Sequence, residues 1–126
     1  MRSSLSRIDI NIIIQGKGEA KGELFRHLSP LTLGAMMRKF PIHGRVHRFE
    51  ETFIYVTSEA VVGVEKARKI FHRNDIAFLS LNSGVCFFKK DCIVAKPMNL
   101  LGKVSFGIEV LEQSAVGDII TIEVCS

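Results

Sequence analysis

Arg7 to Gln15 reads R-I-D-I-N-I-I-I-Q. Ile8, Ile10, Ile12 and Ile14 fall on one side of an extended chain, and Asp9 and Asn11 on the other. This period-2 alternation marks a half-buried β-strand and excludes an amphipathic helix, whose apolar positions recur every three or four residues. Gly16-Lys17-Gly18 follows, with two residues that tolerate positive φ, so the strand is expected to turn back as a hairpin into Glu19–Leu24.

Outward from this hairpin, one helix is well marked, from about Ser29 to Lys39. Ser29 can accept from free backbone N–H groups, and Pro30 suits the first helical position because its missing donor would find no partner there anyway. Leu33, Met36, Met37 and Phe40 share one face, and Pro41 ends the helix. Strands are expected at Arg45–Phe49 and Thr52–Thr57 around an acidic corner at Glu50-Glu51. Val61–Arg73 fits neither period: Glu65–Phe71 reads as a helical turn or as the start of a strand. Ile76–Leu81 and Val85–Lys89 pair across Asn82-Ser83-Gly84. Lys96-Pro97 interrupts the chain before a strand at Leu100–Phe106, Ile108–Gln113 suits a short helix, and Ile119–Val124 alternates as a final strand. Seven or eight short strands with one early helix and one late one point to a closed or nearly closed β-barrel.

The 126 residues suit a single domain spanning the whole chain, with residues 1–6 as a flexible tail. A 47% hydrophobic content fills a core, and 24% charged residues cover its outside. No stretch approaches the ~20 apolar residues of a membrane span, and the start M-R-S-S-L-S lacks the apolar core of a secretory signal. The expected location is cytoplasmic. Cys86, Cys92 and Cys125 form an odd set without a C-x-x-C pair and read as reduced thiols. The net charge of +4 is dispersed over small groups at Lys66-Ala67-Arg68-Lys69, His72-Arg73 and Lys89-Lys90. With one Tyr, no Trp and no aromatic-rich binding motif between them, these read as a solvated basic face and argue against a nucleic-acid partner.

Motifs for covalent, metal or nucleotide chemistry are missing. His43 and His47 are four apart, but Pro41 and Gly44 argue against the helix that would place them together on a metal, so neither a metal nor a cofactor is expected. Gly16-Lys17-Gly18 lacks the rest of a dinucleotide fingerprint and enters a strand. Cys86 sits between apolar neighbours that do not activate a thiolate. Arg48, in His47-Arg48-Phe49 and followed by Phe53 and Tyr55, has two readings: it grips a carbonyl beside exposed aromatics, or it pairs with Glu50 or Glu51.

The order of these segments resembles the cyclophilins. The helix after Ser29-Pro30-Leu31-Thr32 is followed by His47-Arg48 and Phe53, by Asn82-Ser83-Gly84-Val85-Cys86-Phe87-Phe88, and by Leu101-Gly102-Lys103-Val104 with Gly107-Ile108-Glu109-Val110-Leu111. The chain is more similar still to the short cyclophilin-like proteins of archaea and bacteria. Their Arg-Trp-Gly-acid, Gly-Asp and Cys-x-Phe-Phe-Gly segments are matched by Arg48-Phe49-Glu50-Glu51, Asn74-Asp75 and Cys86-Phe87-Phe88-Lys89.

The resemblance runs from about Ile8 to Val124. It implies a mainly β fold, a closed eight-stranded barrel capped by one or two helices. It also implies a groove for an X–Pro peptide, in which isomerisation proceeds by holding the twisted amide rather than through a covalent step. Carried over by motif, Arg48 is the catalytic Arg if the chain is an isomerase, and Phe53 and Phe88 are aromatics of the proline pocket. The groove Gln becomes Val56, the groove His falls at Met98, and the groove Trp has no counterpart. Loss of positioning groups costs orders of magnitude in rate.

The sequence therefore reads first as a binding module for a peptide or small ligand, in a groove of Arg48, Phe49, Phe53, Phe88 and Met98. A weak peptidyl-prolyl isomerase is the alternative. A third reading is a structural or homo-oligomer-forming accessory protein whose groove its own chain fills.

Overall fold

The computed structural model describes residues 6–125. The flexible tail expected at residues 1–6 lies outside them except for Ser6, whose carbonyl accepts the Arg26 N–H at 3.0 Å. Ten strands and two helices follow in the order β1 (Arg7–Ile14), β2 (Gly18–Phe25), α1 (Pro30–Met37), β3 (Ile42–Arg45), β4 (His47–Phe49), β5 (Phe53–Thr57), β6 (Arg68–Phe71), β7 (Asp75–Leu79), β8 (Gly84–Phe88), β9 (Cys92–Phe106), α2 (Ile108–Glu112) and β10 (Ile119–Val124). The β1–β2 hairpin forms as its alternation predicts. Ile8, Ile10, Ile12 and Ile14 are buried, and the register pairs Ile14 with Gly18 and Arg7 with Phe25.

The antiparallel sheet runs β3-β10-β1-β2-β9-β7-β8-β5-β4, with β6 paired to β9 outside this path. The expected closed eight-stranded barrel is corrected in two respects. Among the described residues there are ten strands, and no ladder of hydrogen bonds closes the sheet. The reason lies in residues 42–49, which supply both of its ends. β3 pairs with β10, the chain passes through the buried Val46, and β4 then pairs with β5. One stretch of chain thus bends from one end of the sheet to the other. β3 and β5 meet through side-chain packing: a Cβ added at Gly44 would stand 2.6 Å from Val56 Cγ2. The interior is filled by the β1 isoleucines together with Leu24, Leu33, Met36, Val46, Ile54, Phe78, Phe87, Leu101 and Ile122.

The interruption expected at Lys96-Pro97 is also corrected. β9 is continuous over 15 residues. Its pairing with β6 steps from Ile70↔Ile93 to Arg68↔Met98, so residues 94–97 bulge and Pro97 withholds no ladder donor. The first half of β9 forms a ribbon with β6, and the second half joins β7 and β2 in the main sheet. Gly102 lies where β9 crosses β2, and a Cβ there would collide with the Glu23 carbonyl oxygen.

α1 starts at Pro30 as read, but Ser29 does not cap it. The Ser29 hydroxyl donates to the Leu100 carbonyl at 2.8 Å. The cap comes from Glu65, far along the chain: its carboxylate accepts the N–H of Leu31 and of Thr32, each at 2.9 Å, and the Thr32 hydroxyl at 2.8 Å. These are the second and third helical N–H groups, which a capping side chain ordinarily satisfies. Asn99 completes the network, accepting the Glu65 N–H at 2.8 Å and donating to Thr32 Oγ1 and the Gly63 carbonyl, both at 3.0 Å. Thr32 and Asn99 are buried.

Burial acts to raise the Glu65 carboxyl pKa, yet the hydrogen bonds from Leu31 and Thr32 outweigh it and hold the group below the ordinary Glu range. A depressed carboxyl stabilises the fold fully above its unfolded pKa and loses that contribution as pH falls through the folded value. Glu65→Ala is expected to lower stability by about 1–2 kcal/mol at neutral pH. Its urea midpoint should converge on that of the unmodified chain in acid, below the usual Glu range. Gly102→Ala should cost about 3 kcal/mol or more in the same denaturation, because backbone rather than a flexible side chain occupies the space.

Candidate functional site

β4, β5, β8, β7 and β9 present a second apolar face on the outside of the sheet. Register and alternation decide which side chains share it. Phe49 is opposite Phe53 and Phe53 opposite Phe88, so these three lie on the outer face. Their rings are in contact, Phe49 on Phe53 at 5.1 Å between centroids and Phe53 on Phe88 at 5.0 Å. Met98 joins the same cluster from β9, with Ala77, Cys86 and Val94. Four of the five side chains named from the sequence as groove residues are thereby brought together.

Arg48 is not among them. It is registered opposite Ile54, a residue of the interior core, so alternation turns it to the other face from Phe49. Arg48 is exposed, and neither the pair with Glu50 nor that with Glu51 forms; Glu51 lies instead 3.9 Å from Lys89. His47 stacks on Tyr55 at 5.1 Å, at the outer rim. His43 lies on β3, within 3.1 Å of Thr121 Oγ1. Among the described residues no three His, Cys, Asp or Glu side chains come together as a metal site.

The aromatic face is covered by the chain itself. β6, at the end of the stretch that fitted neither period, crosses it, and Phe71 lies flat on Phe88 with centroids 4.6 Å apart and planes 8° apart. Phe71, Phe88, Phe53 and Met98 are at most 3% exposed, whereas Phe49 at the rim is half exposed. Burial drives the Cys86 thiol far above its ordinary pKa, so it stays protonated and inert.

What remains open is a pocket of about 450 Å³ beside β6, lined by Arg68, Lys69, Ile70, His72, Asp75 and Leu100. Leu100 packs against the aromatic cluster and so joins the pocket to the filled face. Asp75 accepts the His72 N–H at 2.8 Å; burial raises its carboxyl above the usual range, against the hydrogen bond and the nearby charges of His72 and Arg68. Arg68 and Lys69 make no ion pair among the described residues, whereas the neighbouring Arg73 is held by Glu112 at 2.9 Å. The basic run at 66–69 was visible in the sequence. Nothing local indicated that a pocket would form against it, because Leu100 and Asp75 arrive from other strands.

Phe71→Ala should remove about 3–5 kcal/mol and leave an apolar cavity over Phe88. Thermal unfolding should show a marked fall in Tm that added indole partly restores in the variant and leaves unchanged in the parent. Equal responses of the two proteins to indole would contradict this packing.

The sequence profile of the family described as Cyclophilin-like matches residues 8–123. Among solved structures, the chain superposes on a hypothetical protein from Archaeoglobus fulgidus, determined in solution, with a TM-score of 0.78 and 19% identity, covering 99% of this chain and all of that one. It also superposes on McbB in complex with tryptophan, with a TM-score of 0.72 and 9% identity, over 90% of this chain but 44% of McbB. At these identities the two likenesses establish a shared fold and nothing finer. No curated protein matches. No helix among the described residues is long and apolar enough to cross a membrane. The profile match extends through nearly every strand from β1 to β10, and on that ground the chain belongs to the cyclophilin-like family.

Proposed function

We propose that this cyclophilin-like chain is a binding module for a small ligand, or a peptide side chain, that carries an anionic group on an apolar body. Its site is the pocket between β6 and β7. The observation that carries the reading is an excess of positive charge, with Arg68 and Lys69 (free of salt bridges among the described residues) against the single carboxylate of Asp75, above an apolar floor at Leu100 continuous with the aromatic face. An anion there would gain charge-assisted hydrogen bonds, and its apolar body would cover Leu100 and Ile70. Phe53, Phe88 and Met98 then act as packing behind the site, Phe49 is an accessible rim, and Arg48 takes no part.

If Phe53 and Phe88 were aromatics of a proline pocket, Phe71 would cover it and Arg48 would lie on the other face. That packing favours the binding reading over the isomerase alternative.

The test is an NMR titration with phenylacetate and with its uncharged relative phenylacetamide. Phenylacetate should shift the amides of residues 68–72 and Leu100, more weakly as salt is raised, and phenylacetamide should leave them in place. Arg68→Glu is expected to weaken phenylacetate by tenfold or more, equivalent to about 1.4 kcal/mol. Equal shifts from both compounds, or an unchanged affinity in Arg68→Glu, would falsify the reading.

A further inference from the structure

The open seam of the sheet forms a second cleft, on other elements and independent of the pocket beside β6. β3 has β10 as its single strand neighbour. The Val46 N–H donates to the Asp118 carbonyl at 2.8 Å, and the Val46 carbonyl accepts the Gly117 N–H at 2.9 Å. Both backbone groups of Val46 therefore point to the β10 side. In an antiparallel pair this direction alternates, so Gly44 and Ile42 also serve β10, and the N–H and C=O of His43 are turned to the seam, where no strand meets them. A volume of about 360 Å³ opens there, lined by Lys39, Ile42 and His43 on one side and by Thr57, Ser58 and Glu59 on the other.

The two walls carry opposite charges. Lys39 and Glu59 are both exposed, and neither forms an ion pair with the other or with another described side chain. Thr57 adds an exposed hydroxyl, while the Ser58 hydroxyl is spent on the Ser83 carbonyl at 2.9 Å. Ile42, 3% exposed, has its side chain in the interior core and bounds the cleft without offering an apolar surface. A solitary anion would meet the Glu59 carboxylate and a solitary cation the Lys39 ammonium. A molecule bearing both charges satisfies the two walls together.

We propose that the seam between β3 and β5 is a binding site for a zwitterionic α-amino acid, whose carboxylate meets Lys39 and the His43 N–H and whose ammonium meets Glu59.

The experiment is an NMR titration of the full chain with L-leucine, 4-methylvalerate (which lacks the ammonium) and isoamylamine (which lacks the carboxylate). L-leucine should shift the amides of His43, Thr57 and Glu59, and each single-charge relative should bind at least tenfold more weakly. Glu59→Gln and Lys39→Gln change exposed side chains, and each should abolish the preference for L-leucine while leaving Tm unchanged. Equal responses to the three compounds, no shift at the seam with L-leucine, or a preference that survives both substitutions would each overturn the proposal.

Discussion

The carboxylate of Glu65 at the start of α1 is the contact on which the outer layer of this protein depends. Helix α1 packs Leu33 and Met36 into the core, and the N–H groups of its first turn, which have no partner within the helix, need an acceptor. The local candidate, Ser29, is bound to the Leu100 carbonyl. Glu65 fills the gap, and Asn99 holds Glu65 by its backbone N–H. The irregular segment after β5 is thereby pinned at one point to both α1 and β9. Three residues beyond it the chain enters β6, which lays Phe71 on Phe88. A cap for a helix and the filling of a groove are two results of one tether.

This arrangement turns the aromatic side chains of the outer face into a second core. Phe53 and Phe88 are in contact within it, and Phe71 stacks flat on Phe88. A buried aromatic contributes several kcal/mol through burial and ring contact, so a ligand displacing Phe71 would first have to replace that energy. The accessible chemistry moves to the margin of the covered face, where the basic residues of β6 lie beside Leu100.

The open seam has a similarly local cause. A barrel closes when its first and last strands pair along their length. Here residues 42–49 serve both ends, and the bend at Val46 limits β4 to three residues. Beyond Tyr55 the strand β5 runs past the end of β4, and side-chain packing between Gly44 and Val56 replaces a ladder. The His43 backbone groups and the charges of Lys39 and Glu59 are left at the resulting cleft.

Elements with a period of their own were legible without the fold. The isoleucine alternation of β1, the Gly16–Gly18 hairpin, the Pro30 helix, the β7–β8 hairpin and the late short helix all lie where local pattern puts them, because each depends on neighbours within a few residues. The order of short motifs carried the family for the same reason, as did the membership of Phe49, Phe53, Phe88 and Met98 in one apolar group. Strand alternation was also available to separate Arg48 from Phe49, had the register of β4 been known.

Tertiary structure alone decided the rest. Residues 61–73 have no period because their conformation is fixed by distant partners: Glu65 by α1 and Asn99, and Phe71 by Phe88. Lys96-Pro97 looked like a break because a proline cannot donate to a ladder, and only the pairing of β6 with β9 shows the bulge that absorbs it. Whether a set of aromatics on one sheet face is a groove or a core depends on what lies above it. No spacing within the strands can specify that.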